Sequence, residues 1–292
     1  MISRRLLISA AGATAATASV RAWGQGEPVR LRLASYLAPT SHTYSRILNP
    51  WADAIEKEAD GAIVFDRFNG GSLGRSPYIQ FDLVRAGVPH IAYAQPNYTS
   101  GQFPQLQILE TPFLVRSATE ASLLGWELCE RGLVDGFDDV KLLGLWSAEP
   151  GLLFMRVPIT GFDDLKNLKI RSAGRLEGEF LESLGATAES MHPADVYEAM
   201  RRHTIHGSVQ GLVAAQTFQG FRVTTHVFNI SFGVVMFALM MHRPTWESLP
   251  AAVQAIFERH SGQALGILGG GSYDRRVEEI DARFRGLGSI TY

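Results

Sequence analysis

The chain has 292 residues, 46% hydrophobic and 19% charged, with a formal net charge of −2 at pH 7. That length and apolar fraction suffice for one large or two medium domains, each with a real core. The slightly acidic balance excludes a general nucleic-acid or anionic-membrane binder, whose surface would be basic. The single cysteine, Cys129, excludes an intramolecular disulfide and a thiolate metal cluster.

The first residues set the compartment. Ser3-Arg4-Arg5 precedes Leu6-Leu7-Ile8 and a run of Ala, Gly, Thr and Ser up to Val20. A charged start, a short weakly apolar middle and a small-residue exit form a signal peptide over residues 1–22, cut after Ala22, and predict a periplasmic protein. The paired arginines point to the twin-arginine route. Without Arg4, Arg5 and Arg21 the remaining chain carries −5. The leader is too short and too rich in small residues to span a bilayer, which needs about 20 apolar residues. No later stretch is long and apolar enough for insertion, and residues 234–241 fit a buried strand.

From residue 29 the pattern alternates at period two through 35, which predicts a strand with one buried face. Ile47, Leu48, Trp51 and Ile55 recur at helical spacing and predict a helix over 44–59. Strands follow at 62–68 and 90–94 around a helix at 78–86. This β-α-β-α-β order calls for a parallel sheet with helices on its faces. A second cycle continues with a helix at 119–131 and strands at 141–146, 152–157 and 168–171. Next come a helix at 177–184, a strand at 186–190, a helix at 193–202 and a strand at 207–210. Strands at 227–229 and 233–241 return toward the first unit, and a helix over 244–261 closes it. No repeat period appears, which excludes solenoids and propellers. The expected fold class is α/β, with two lobes, each built on a mainly parallel sheet, hinged by crossing strands. The first lobe comprises 23–152 and roughly 233–292, and the second 153–232. Ligands of such folds lie beyond the carboxyl ends of parallel strands, between the lobes. Tyr36, Tyr78, Tyr93, Tyr98 and Trp146 fall near predicted strand ends and predict a crevice able to cover an apolar ligand body.

Specific segments carry a family resemblance. Leu31–Tyr36 with Pro39 and His42, Gly70-Gly71-Ser72-Leu73-Gly74 and Leu83-Val84-Arg85-Ala86-Gly87 appear in order. So do Phe103-Pro104, Thr111-Pro112-Phe113-Leu114 and the run Phe162-Asp163-Asp164-Leu165-Lys166-Asn167-Leu168-Lys169-Ile170-Arg171. Together they resemble the substrate-binding proteins of tripartite ATP-independent periplasmic (TRAP) transporters over most of residues 29–275. The resemblance implies a periplasmic receptor, not an enzyme, that binds a small organic acid and delivers it to TRAP membrane subunits, with no cofactor. It also implies that Arg171, ending the Lys-x-Arg strand, binds the ligand carboxylate, with Arg156 as a second arginine and Gln210 as a further polar contact. A guanidinium suits that role because its parallel donors match a carboxylate in two bonds. Two departures stand out: Pro150-Gly151-Leu152 occupies the stretch where some relatives carry another arginine, and His206-Gly207 replaces a common Asp-Gly pair.

Other chemistry is less well supported by the residues. Gly70-Gly71-Ser72-Leu73-Gly74 satisfies the G-x-S-x-G pattern of an exported serine hydrolase, but Ser76-Pro77 places the helix start too late for a nucleophile elbow. His203 and His206 could share a helix face toward a metal, yet no third ligand is near in sequence. Asp163-Asp164 reads as a helix N-terminus, and Gly269-Gly270-Gly271 follows a helical stretch, not the strand a phosphate loop needs. A receptor of the same fold serving a signalling partner is a further reading.

Overall fold

The computed structural model describes residues 27–286 and 288–292, so the leader expected over 1–22 lies outside the described residues. The chain runs β1 (Val29–Ala34), α1 (Asn49–Glu58), β2 (Ile63–Phe68), α2 (Gln80–Arg85), β3 (Ile91–Ala94), α3 (Ala118–Glu130) and β4 (Val140–Ser147). Then follow β5 (Leu152–Met155), β6 (Lys169–Ser172), α4 (Arg175–Ser183), β7 (Thr187–Ser190), α5 (Val196–Arg201), β8 (Gly207–Gln210), α6 (Leu212–Thr217) and β9 (His226–Phe228). The last elements are β10 (Met236–His242), α7 (Arg243–Ser248), α8 (Ala251–His260) and α9 (Gln263–Gly286).

These strands form two five-stranded sheets, ordered β2-β1-β3-β10-β4 and β7-β6-β8-β5-β9. In the first sheet β1, β2 and β3 are parallel and β10 alone runs against its neighbours, so β4 points the same way as β3. In the second, β6, β7 and β8 are parallel while β5 runs antiparallel to β8 and β9. The α/β, two-lobed architecture expected from the order of elements is therefore present.

The main core runs from the first sheet across to Phe154 of β5 and Val227 of β9, and the second lobe has a further cluster of its own. Leu31 and Leu33 of β1 turn inward while Arg30 and Arg32 turn out, as period two requires. Trp51 of α1 meets Phe65 of β2 and Phe257 of α8, with ring centroids 5.6 and 5.9 Å away. The second lobe closes on Leu153, Met155, Leu165, Ile170, Leu181 and Val209. Full burial of such side chains stabilises by about 1.5–3 kcal/mol each.

Two chain segments cross between the sheets and pair with each other. The Ala148 amide donates to the Val235 carbonyl at 2.9 Å, Gly151 to Gly233 at 2.8 Å and Phe232 to Gly151 at 2.9 Å. Gly233 adopts φ +85°, and a Cβ there would stand 2.0 Å from the Glu110 carbonyl oxygen. Only glycine permits both that backbone conformation and that approach.

Two expectations change. The helix expected over 244–261 is two helices, because Pro250 holds Leu249 in extended geometry (ψ 140°) and α8 starts anew behind it. Residues beyond 261 form α9, which runs 24 residues straight through Gly269-Gly270-Gly271. A Cβ at Gly269 would meet Trp146 Cγ at 2.4 Å, and one at Gly270 would meet the Ser122 hydroxyl at 2.6 Å. The glycines thus serve close packing of α9 on β4 and α3, and helix propensity gives way to it. The span 233–292 supplies β10 to the first sheet and packs α9 on β4 and α3, and it also touches the second lobe. α9 reaches α6, and its Phe284 stacks on Phe221, in the turn that follows α6, at 5.3 Å. Beyond it, Thr291 pairs in parallel with His226 of β9, taking a bond from Val227 at 2.8 Å. Among the described residues no helix is long and apolar enough to cross a membrane.

Candidate functional site

The carboxyl ends of five parallel strands face one cleft. Tyr36 and Leu37 follow β1, Gln95 and Asn97 follow β3, and Ala148 and Glu149 follow β4. From the second sheet come Arg171, Ala173 and Gly174 around the end of β6, and Gln210 and Gly211 at the end of β8. The empty space between them totals about 920 Å³, its open mouth included. Tyr93, Tyr98, Phe218, Phe232 and Phe237 supply aromatic wall. Tyr36 sits 5.4 Å from Tyr93 by ring centroids, and its hydroxyl donates to Gln95 Oε1 at 3.4 Å.

Arg171 is 3% exposed. Its Nε donates to the Met191 carbonyl at 3.2 Å and its Nη1 to the Val209 carbonyl at 3.1 Å, which fixes the plane of the guanidinium. Among the described residues it forms no ion pair within 4.0 Å. A buried cation with no carboxylate in direct contact is costly and has room for an anion beside it. Gln210 is 6% exposed, and neither its Oε1 nor its Nε2 has a partner among the described residues.

Three carboxyls share the cleft. Burial pushes Glu110 up to about 8, the neighbouring Glu177 adding to the effect and Arg175 opposing it. Burial also lifts Glu177 to about 7 against the pull of Arg171, and its carboxylate takes the Ala173 amide. Glu149 rises to about 7 for the same reason, although its Oε1 accepts from the Val213 amide at 2.7 Å. His42 is pulled down to about 4 by burial and then by Arg276, so it is neutral near pH 7. Of the ten buried side-chain polar atoms lacking a partner among the described residues, five belong to this cleft: Asn97 Oδ1, Tyr98 Oη, Glu149 Oε2 and both ends of Gln210. Each such atom costs about 1–3 kcal/mol, so their concentration in one cavity marks a surface kept open for a polar guest.

The sequence-derived residues separate into two sets. Arg171, Gln210, Tyr36 and Tyr93 come together in the cleft. Arg156 does not: it lies past the end of β5, where its Nη1 donates to the Met200 carbonyl at the end of α5, at 2.8 Å. A cation there satisfies the orphan carbonyls of a helix C-terminus. Tyr78 also stands outside, 42% exposed, packing against Tyr98 from behind at 5.0 Å. Trp146 is buried behind the wall, 5.9 Å from Tyr93. Sequence reasoning missed Glu110, Glu149, Glu177 and Asn97. A lone Glu in a loop or first helical turn carries no local sign of burial.

The other motifs resolve differently. Ser72 occupies a turn, and the next helical turn starts at Pro77 with Ser76 accepting the Tyr78 amide at 3.3 Å, so no nucleophile elbow exists. His206 Nδ1 accepts from the Lys169 amide at 2.9 Å, and His203 sits at φ +61° after α5; no metal-ligand cluster occurs among the described residues. Asp164 collects the Thr160 amide at 2.7 Å and its hydroxyl at 2.8 Å, bonds that hold its carboxyl below the usual range. Burial pushes the Cys129 thiol up to about 12, which makes it inert.

Comparisons with known proteins bear on the fold and the family. A solute-binding protein of Sulfitobacter sp. (strain NAS-14.1) is 25% identical over 278 residues, covering 91% of this chain and 80% of that protein. A TRAP solute-binding protein from Rhodoferax ferrireducens T118, solved with copurified benzoate, superposes with a TM-score of 0.84. It is 26% identical, with 90% of this chain and 84% of that one covered. A TRAP periplasmic solute-binding protein from Bordetella bronchiseptica, with bound (R)- and (S)-mandelate, gives a TM-score of 0.82 at 25% identity, covering 90% and 84%. Residues 33–268 match the description "bacterial extracellular solute-binding protein, family 7" (DctP), and the chain belongs to that family.

Proposed function

We propose that this protein is the periplasmic receptor of a TRAP transporter, closing its two lobes on a small carboxylate and presenting it to the membrane subunits. Members of its family bind solutes and do not transform them, so an exported serine hydrolase is set aside. The carrying observation is Arg171: a buried guanidinium held by two main-chain carbonyls in the interlobe cleft, with no ion pair among the described residues. Its two-donor edge fits a carboxylate, and the low dielectric of a closed cleft strengthens that pair. Gln210, with both amide ends unpartnered, takes a second polar contact. The aromatic wall accommodates a ring, and the benzoate and mandelate of the two structural relatives are both ring-bearing monocarboxylates. Lobe boundaries near residues 152 and 233 let the crossing segments act as the hinge, and ligand binding then shifts the population toward the closed form that a permease recognises.

The test is mass spectrometry of small molecules carried through purification, followed by a thermal-shift screen of organic acids on ligand-stripped protein. A ligand at 100 times its Kd adds about 2.7 kcal/mol, a shift on the order of several degrees. No shift from any carboxylate would defeat the reading. Export belongs to it too: replacing Arg4 and Arg5 together by Lys should leave the precursor in the cytoplasm if the twin-arginine route is used.

A further inference from the structure

We propose that the cleft selects a hydroxylated aromatic monocarboxylate, with Arg171 taking the single carboxylate while Glu149, aided by Glu110, receives the hydroxyl and turns away a second carboxylate. The proposal rests on the carboxylate reading above and names the substrate class of that site.

The charge inventory comes first. Among the described residues Arg171 is the one arginine or lysine lining the cleft, against Glu110, Glu149 and Glu177. Pro150-Gly151-Leu152 occupies the nearby crossing segment, and Arg156 is engaged at the end of α5. A dianion therefore finds one cation for two charges, and its second carboxylate stands among carboxyls. Like charges in a low-dielectric cavity repel strongly.

The orphaned atoms then describe the other end of the guest. Glu149 is fixed in place: its Oε1 takes the Val213 amide, and its carboxyl lies flat on Gly211, where a Cβ would stand 2.2 Å from Oε1. Its Oε2 is buried and has no partner among the described residues. Glu110 also lines the cleft, beside Asn97 and opposite Gly174, and its side chain makes no hydrogen bond among the described residues. With burial lifting these carboxyls to about 7 and about 8, each alternates near neutrality between acceptor and donor. A hydroxyl, both donor and acceptor, satisfies either form. An ether oxygen or a bare ring edge does not.

The experiment is calorimetry at about pH 7.5 on ligand-stripped mature protein with benzoate, the three hydroxybenzoates, their methoxy counterparts and the three benzenedicarboxylates. At least one hydroxybenzoate should bind about tenfold more tightly than benzoate, and its methoxy counterpart should lose that gain. Every benzenedicarboxylate should bind at least about tenfold more weakly than benzoate. In Glu149→Gln the ratio of dicarboxylate to benzoate Kd should fall by about fivefold or more, because a neutral amide no longer repels. Should that variant not fold, Glu110→Gln provides the same ratio. Hydroxybenzoates no better than benzoate, or a dicarboxylate its equal, overturn the proposal while leaving the carboxylate reading intact. Absence of binding by every probe, with a non-acidic copurified ligand, overturns both.

Discussion

Arg175 at the start of α4 donates through Nη2 to Gln107 Oε1 at 2.8 Å, a side-chain bond that spans the two lobes at the rim of the cleft. Gln107 is buried, whereas Arg175 is largely exposed and also pairs with Glu179 on its own helix. The neighbouring Gly174 comes so close to the first lobe that a Cβ would stand 2.9 Å from Glu110 Oε2. Both contacts require the two lobes to stand close together here.

Removing that latch should loosen the closed state without touching the ligand. A net hydrogen bond contributes about 0.5–1.5 kcal/mol, so Gln107→Ala or Arg175→Ala should weaken ligand affinity about 2- to 13-fold. The change should appear mainly in the dissociation rate, as read by stopped-flow. The double variant should cost no more than the worse single one, since both remove one bond.

Arg171→Ala tests the carboxylate clamp. Losing one partner of a buried, hydrogen-bonded charge pair costs roughly 2–5 kcal/mol, which is about 30- to several-thousand-fold in Kd. Arg171→Lys should recover only part, because the ammonium lacks the planar fork. Arg156→Ala should leave affinity nearly unchanged, because Arg156 serves the end of α5. Calorimetry, with circular dichroism as the folding check, would sink the clamp if Arg171→Ala bound within about threefold of wild type.

The buried glutamates predict a pH dependence with a defined sign. Glu110, Glu149 and Glu177 titrate higher in the folded chain than the 4.5 of an ordinary glutamate. The folded state therefore holds more protons than the unfolded one above that pH, and stability falls as pH rises toward 8. His42 acts oppositely, its depressed value removing stability as pH falls from 6.5 toward 4. The clean window is about pH 6.5–8, where the unfolding midpoint of ligand-free protein should drop, and drop less in Glu110→Gln. Binding an anion beside these groups should also take up protons, which calorimetry in buffers of different ionisation enthalpy would detect. Proton release would count against it.

Two glycines of one helix should respond in opposite directions. Gly269→Ala drives a Cβ into Trp146 and should destabilise by about 1–3 kcal/mol. At Gly271 a Cβ meets the Arg275 guanidinium at 3.2 Å, the far end of a flexible side chain, and Thr119 Oγ1 at an ordinary 3.9 Å. Gly271→Ala should therefore stabilise by about 0.5–1 kcal/mol through helix propensity. Urea unfolding of both variants decides the matter.

Much of this protein was legible along the chain. The period-two run at β1, the helical spacing of Ile47, Leu48, Trp51 and Ile55, and the alternation of strands and helices determine the α/β lobes, because burial of one face imposes a local period. Arg171 and Gln210 were named through the family resemblance, which local strand patterns alone do not supply. What lay beyond the sequence depends on neighbours distant along the chain. Gly269-Gly270-Gly271 weakens a helix locally, yet the close approach of Trp146 and Ser122 requires it there. Arg156 and Arg171 both follow strand patterns, and only the placement of α5 sends one to a helix end and leaves the other in the cleft. Glu110, Glu149 and Glu177 are far apart in sequence and ordinary in composition. Their raised protonation comes from burial in one cavity, a property of the assembled lobes that no single segment carries.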